Sequence, residues 1–352
     1  MKIDIKEVKP TNDQVWKKAT LMNDHGMTVS LLNYGGIITE ILVPDKDGKT
    51  ENVVLAYKNL EQYLTNPGYL GAIVGRVAGR IPGAAFELNG KTYQLESNED
   101  EHCLHGGANG FNHALWEIEP KALSDEVMVK LIHKSADGEG GFPGNVEAEV
   151  TYTLNNQNQL IINYTAYTDQ MTPLTLTNHT YFNLSGDTKS TINRHEVTMD
   201  SEQFVELDEE LIPTGKLLNV QGTTFDFRNG RRLEDGFNDD FIQNQVAGCG
   251  YDHYFIFANE KEEKAIVKDE NSGRKLTIKT NQPGVVMYTS NNLVEGLELT
   301  EGVTKKYLGL CLETQGSPAS LHHKGFPNII REEGEVNKTQ TIFSFGVESN
   351  DE

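Results

Sequence analysis

Val146, Ala148, Val150, Tyr152 and Leu154 alternate with Glu147, Glu149, Thr151 and Thr153, the two-residue period of a strand with one buried face. The polar stretch 155–159 interrupts that rhythm, and Leu160, Ile162, Tyr164 and Ala166 resume it, which predicts a hairpin. The same pattern runs through 275–280, turns at Gln282-Pro283-Gly284 and resumes over 285–289. Further strands are predicted at 28–32, 37–43, 126–133, 195–199, 253–257 and 306–313. Helical spacing is scarce: one short helix is expected at 60–64, stopped before Pro67. The 33 glycines are spread along the chain, no fixed-period repeat stands out, and the one biased tract is the short acidic end 348–352. No linker divides the sequence. The expectation is a single domain over 1–352, all-β, folded as one large mostly antiparallel β-sandwich with few short helices.

Charge narrows the partners. With 31 Lys+Arg against 52 Asp+Glu the net charge is −21, a field that repels nucleic acid and anionic membrane surfaces and suits a neutral polar small molecule. The first residues lack a signal-peptide core, and no stretch approaches the roughly 18 to 20 apolar residues of a membrane span. A cytoplasmic protein is therefore expected, in which the Asn-x-Ser/Thr sequons carry no meaning. Cys103, Cys249 and Cys311 form an odd set without metal-ligand spacing, so reduced thiols are expected.

Chemistry concentrates in a few segments. Glu313 is a carboxylate in the apolar run Leu310-Cys311-Leu312-Glu313, a costly placement unless the acid has a partner or a task. His105 precedes two glycines, and His179 sits among Asn178, Thr180, Tyr181 and Asn183, polar groups able to fix its tautomer. Arg76 and Arg80 lie in the small-residue run Gly75-Arg76-Val77-Ala78-Gly79-Arg80-Ile81, and arginine can fork onto vicinal hydroxyls. Asp252 opens a predicted strand after Gly248-Cys249-Gly250, and His253 beside it is expected to pack or face solvent. The adjacent pair His322-His323 diverges on extended backbone with no third ligand at a zinc-type spacing, so no metal is expected. There is no Gly-x-Ser-x-Gly elbow, phosphate loop or dinucleotide fingerprint.

Seven segments in order resemble the aldose 1-epimerase (galactose mutarotase) family: Gly75–Ile81, Leu104-His105-Gly106-Gly107, Gly141-Phe142-Pro143-Gly144, Asn178-His179-Thr180-Tyr181-Phe182-Asn183-Leu184, Leu211-Ile212-Pro213-Thr214-Gly215, Asp252-His253 and Leu312-Glu313-Thr314-Gln315. The resemblance implies a sandwich of the galactose mutarotase type with an open sugar cleft, no metal and no organic cofactor. It implies Glu313 as general base, His179 as general acid, and Arg80, His105 and Asp252 as sugar-binding residues, with Gly79 and Tyr181 completing the substrate-binding set. Arg76 is the arginine less suited to touch substrate. The chain departs from the family pattern at Gly79, where many relatives carry asparagine, at Asn112-His113, and in the loop 316–326. The implied activity is interconversion of the α and β anomers of a free aldohexose such as D-galactose or D-glucose. Glu313 is expected to be ionised and His179 protonated at the start. Two alternatives stand beside it: a hexose-6-phosphate 1-epimerase, with basic pairs such as Arg231-Arg232 as phosphate ligands, and a non-catalytic sugar-binding protein on the same fold. The preferred aldose and any oligomeric state are left open.

Overall fold

The computed structural model describes residues 1–258 and 260–348; of the acidic end 348–352, all but Glu348 lies outside them. Three sheets carry the architecture, and every strand pairing within them is antiparallel. The five-stranded N-terminal sheet runs in chain order from Lys2–Val8 through Trp16–Met22, Thr28–Leu32 and Ile38–Pro44 to Thr50–Asn52. A nine-stranded sheet contains the predicted hairpin, Val146–Asn155 paired with Gln159–Thr168, followed by Val336–Val347, Arg274–Thr280 and Ala265–Lys268. A six-stranded sheet has the order Tyr181–Phe182, Leu310–Gln315, Gly284–Tyr288, Asp252–Phe257, Ser201–Leu207, Pro213–Asn219.

Alternation explains how these sheets pack. Val146, Ala148, Val150, Tyr152 and Leu154 are all buried and share one core with Leu160 and Ile162 of the partner strand, Leu21 and Val29 of the N-terminal sheet, and Val285, Leu310 and Leu312 of the six-stranded sheet. Each valine, leucine and isoleucine among them contributes roughly 1.5–3 kcal/mol on leaving water. Helices are connectors: the short helix expected at 60–64 is a 3₁₀ helix, Leu60–Leu64, and the two α-helices among the described residues are Glu234–Phe237 and Ile242–Val246.

Two sequence expectations need correction. The turn at 282–284 does not close a hairpin: Arg274–Thr280 belongs to the nine-stranded sheet and Gly284–Tyr288 to the six-stranded one, so Pro283 marks the place where the chain crosses between layers. The strand expected at 306–313 begins only at Leu310. Tyr307 takes φ +59 and stacks on Phe237 with ring centroids 3.9 Å apart, a left-handed turn that ladder pairing cannot accommodate.

Candidate active site

Leu310–Gln315 is the strand on which the site rests. It lies between Tyr181–Phe182 and Gly284–Tyr288, and all six of its residues are buried. Its period of two sends Leu310 and Leu312 into the main core and turns Cys311, Glu313 and Gln315 to the other face. There Glu313 and Gln315 line an open cleft of about 1010 Å³ counting its mouth. Arg80, His105, His179 and Asp252 line the same cleft, so segments spread over some two thirds of the sequence converge on it.

His179 stands on the link between Thr177–Asn178 and Tyr181–Phe182. Its N–H donates to the Ala72 carbonyl and its own carbonyl accepts from Gly71 N–H. The polar neighbours expected to fix its ring serve the backbone instead. The Asn178 amide donates to Gly71 O and accepts from Thr180, while the Asn183 amide donates to the Ser190 and Leu308 carbonyls. The ring itself meets Glu313 Oε1 at 3.6 Å through Nε2 and Cys311 Sγ at 3.5 Å through Nδ1. Tyr181 packs on it with centroids 5.1 Å apart and spends its hydroxyl on Gly68 O at 2.8 Å.

His105 approaches from the opposite wall, its ring edge-on to His179 at 5.2 Å and 87°. Its Nδ1 accepts from Gly79 N–H at 3.1 Å, so in the neutral ring the proton sits on Nε2. Gly79, with φ +89, thus gives the site a backbone donor that orients a histidine. The turn after His105 requires glycine: a Cβ on Gly106 would lie 2.0 Å from the Gly75 carbonyl oxygen. Arg80 forks onto Glu99, Nε to Oε2 at 2.6 Å and Nη2 to Oε1 at 2.9 Å, and its Nη1 lies 3.6 Å from Asp252 Oδ2.

Burial sets the electrostatics. It pushes Glu313 well above the ordinary carboxylate range, the Asp252 charge adding to the rise and Arg80 opposing it. His179 is lowered to about 4, mainly by burial, with its own carbonyl opposing and Arg80 adding to the fall. His105 is driven well below its usual value by burial, then by His179 and Arg80. Burial also raises Asp252 against the pull of Arg80. For Arg80 burial works against the charge, but Asp252 and Glu99 outweigh it and hold the guanidinium above its ordinary value. Against the expectation of an ionised Glu313 facing a protonated His179, removing both groups from water favours the neutral acid and the neutral ring.

Other sequence candidates lie elsewhere. Arg76 is buried and donates to Ser135 Oγ and to the carbonyls of Pro143, Gly144 and Ala136, so it pins the Gly141–Gly144 segment. His253 packs against Phe225 at 4.8 Å and contacts Gln243 Oε1 through Nε2. His322 and His323 each meet a backbone carbonyl, of Ala85 and Pro213 respectively. The trio His105, His179 and Glu313 has ligand-type atoms within 4.8 Å of one another. With His105 Nδ1 already accepting from Gly79 and its proton on Nε2, the trio suits hydrogen bonding to a hydroxylated guest better than metal ligation.

Glu99, Tyr69 and Tyr288 also line the cleft and were not singled out by sequence. Tyr69 packs its ring against both histidines, 4.7 Å from His105 and 5.8 Å from His179. Its setting Pro67-Gly68-Tyr69 offered a turn signal and no chemical one, while Glu99 sits in an acidic loop that resembles any solvated one.

The family model described as Aldose 1-epimerase matches residues 17–344. The chain is 41% identical over 345 residues to galactose mutarotase from Homo sapiens, with 96% of each chain covered. It is 34% identical over 344 residues to aldose 1-epimerase from Streptococcus thermophilus, with 95% of each covered. A solved galactose 1-epimerase from Lactobacillus acidophilus NCFM superposes with a TM-score of 0.88 at 29% identity, covering 99% of both chains.

Proposed function

Because the chain belongs to the aldose 1-epimerase family, we propose that its cleft interconverts the α and β anomers of free hexoses such as D-galactose and D-glucose, with Glu313 and His179 as the proton-transfer pair. The observation that carries this reading is the opposition of two buried titratable groups, His179 Nε2 and Glu313 Oε1, 3.6 Å apart on the cleft wall. Burial favours the form in which their one shared proton rests on Glu313. Passing it to His179 creates carboxylate and imidazolium without exchange with solvent, and the pair's apparent pKa values belong to both groups together. The Glu313 carboxylate then takes the proton from the C1 hydroxyl, the C1–O5 bond breaks, and the imidazolium protonates O5 to give the open aldehyde. Rotation about C1–C2 and reclosure with the two roles exchanged deliver the other anomer. Each positioned group supplies about 10²- to 10⁴-fold.

The remaining polar residues hold the sugar while C1 turns. Arg80 and Asp252 grip hydroxyls remote from C1, His105 donates Nε2–H near the ring oxygen, and Tyr181 walls the ring of His179. Gly79 acts through His105. A phosphorylated hexose is disfavoured because Arg80 is the one cationic side chain among the described cleft residues and is already committed to Glu99 and Asp252. We further propose a single domain working in the cytoplasm: the core spans all three sheets, the three cysteines are free thiols, and among the described residues no helix is long and apolar enough to cross a membrane.

Polarimetry of freshly dissolved α-D-galactose tests the assignment. Rapid decay of rotation with the native chain and near-background decay with a folded Glu313→Gln variant are expected. Background decay with both overturns it, and sugar phosphates added as competitors separate the hexose-6-phosphate alternative.

A further inference from the structure

Cys311 is a buried thiol that the reaction above does not use. It follows directly on Leu310 in the site strand, pairs across the ladder with Tyr181, and is fully enclosed. Its sulfur lies 3.5 Å from His179 Nδ1. Among the described residues it is the one hydrogen-bond partner of Nδ1, and the backbone carbonyl of His179 adds a pull toward the charged ring that is the same whatever stands at position 311. A histidine working through Nε2 depends on what its other nitrogen meets, because that contact fixes both ring orientation and the stability of the imidazolium. Carboxylates and carbonyls stabilise the charged ring strongly. Sulfur is a weak donor and a weak acceptor.

We propose that Cys311 is the positioning residue for His179: its thiol anchors the ring through Nδ1 with Nε2 turned toward Glu313, and its weakness as an acceptor keeps the imidazolium a ready proton donor. The proposal rests on His179 being the acid. Burial pushes the Cys311 thiol well above its ordinary range, with the Glu313 and Asp252 charges adding to the rise, so the sulfur stays protonated. The other groups facing His179 are Glu313 on the same strand, His105, Tyr69, Tyr181, Tyr288 and the Arg80 charge, with Asp252 acting through Glu313. All of them are retained when residue 311 is changed, so a shift can be assigned to the partner of Nδ1.

The test compares native chain, Cys311→Ser and Cys311→Ala by polarimetry across pH, with the ¹⁵N chemical shifts of His179 measured in parallel. A serine hydroxyl accepts more strongly from Nδ1–H, so the acid limb of the kcat/KM profile moves up by roughly half a pH unit while kcat stays within about threefold. Alanine leaves the ring without its anchor, and kcat falls roughly tenfold with KM within about twofold. Two results overturn the proposal: profiles that coincide in all three proteins, or losses in which KM and melting temperature move together and equally in both variants, as simple packing requires. If the native chain shows no mutarotation, the reading of the reaction fails instead. The His179 Nδ1 shift then still decides the contact, by differing or not differing between native and Cys311→Ser.

Discussion

The strands Val146–Asn155 and Leu310–Gln315 use burial in opposite ways. The first buries valine, alanine, tyrosine and leucine on its inner face and alternates as a half-buried strand does, save that Thr153 on the other face is buried as well. The second is buried throughout: its Leu310 and Leu312 face obeys the same rule, while its other face encloses a carboxyl group, a thiol and an amide. Among the described residues the Glu313 Oε2 atom has no hydrogen-bond partner, an arrangement that costs stability. Placed next to each other, the two strands show one element type serving as a structural beam and as a holder of strained chemistry. The departures from pattern gather where proteins accept instability for function.

The largest effect should come from the second strand. Glu313→Gln is expected to lower kcat by at least about 10²- to 10⁴-fold while leaving the fold as stable or more so. The pH dependence sharpens this. The folded pKa of Glu313 is raised above its ordinary 4.5, so its contribution to stability is complete below that value and is lost as pH rises through the raised one. His179 runs the other way: lowered from 6.5 to about 4, it contributes fully above 6.5 and loses that contribution as pH falls toward 4. Melting curves of native and Glu313→Gln protein should therefore converge in acid and separate toward alkaline pH, the native falling faster. A constant offset at every pH would count against a buried, raised carboxyl.

Ile162→Ala in the hairpin should do the reverse. Ile162 is fully enclosed, so the cavity should cost about 2–5 kcal/mol in denaturant unfolding with kcat per folded molecule unchanged. A matching loss of kcat would show that beam and holder are not separable. A smaller effect is expected at the cleft rim. Glu99→Gln removes the charge from the fork that aims Arg80 and should lower kcat/KM for galactose by roughly tenfold, chiefly through KM. An equal fall in kcat with KM unmoved would place Arg80 in the chemistry rather than in holding the sugar.

The same contrast explains what the sequence revealed. The hairpin 146–168 was legible because apolar residues recur at every second position of both strands, Ile161 being an added apolar residue on the outer face of the second. Val336–Val347 was not, because two of its inward positions are Asn337 and Thr341, which break the apolar period. Lys2–Val8 has no fully buried residue, and its charges masked it. Within the site, His179 and Glu313 stood out as chemistry in an unsuitable local setting. Glu99 did not, since its importance lies in a partner nineteen positions away in sequence. The partner of His179 Nδ1 was likewise invisible, because it follows from which face of a strand meets which loop. The downward shift of His179 was not legible because sequence shows which residue types stand near one another and not that both groups have lost their water.

The position of Val336–Val347 has a consequence during synthesis. It is the last described strand, yet it lies inside the nine-stranded sheet, with Gln159–Thr168 on one side and Arg274–Thr280 on the other. While a ribosome is still making the preceding residues, those two strands each present an open edge with unpaired N–H and C=O groups, a template for association with other nascent chains. The last strand acts as a keystone. Until it has emerged, neither half of the large sheet is closed, and the two facing edges stay open to wrong pairing in that interval.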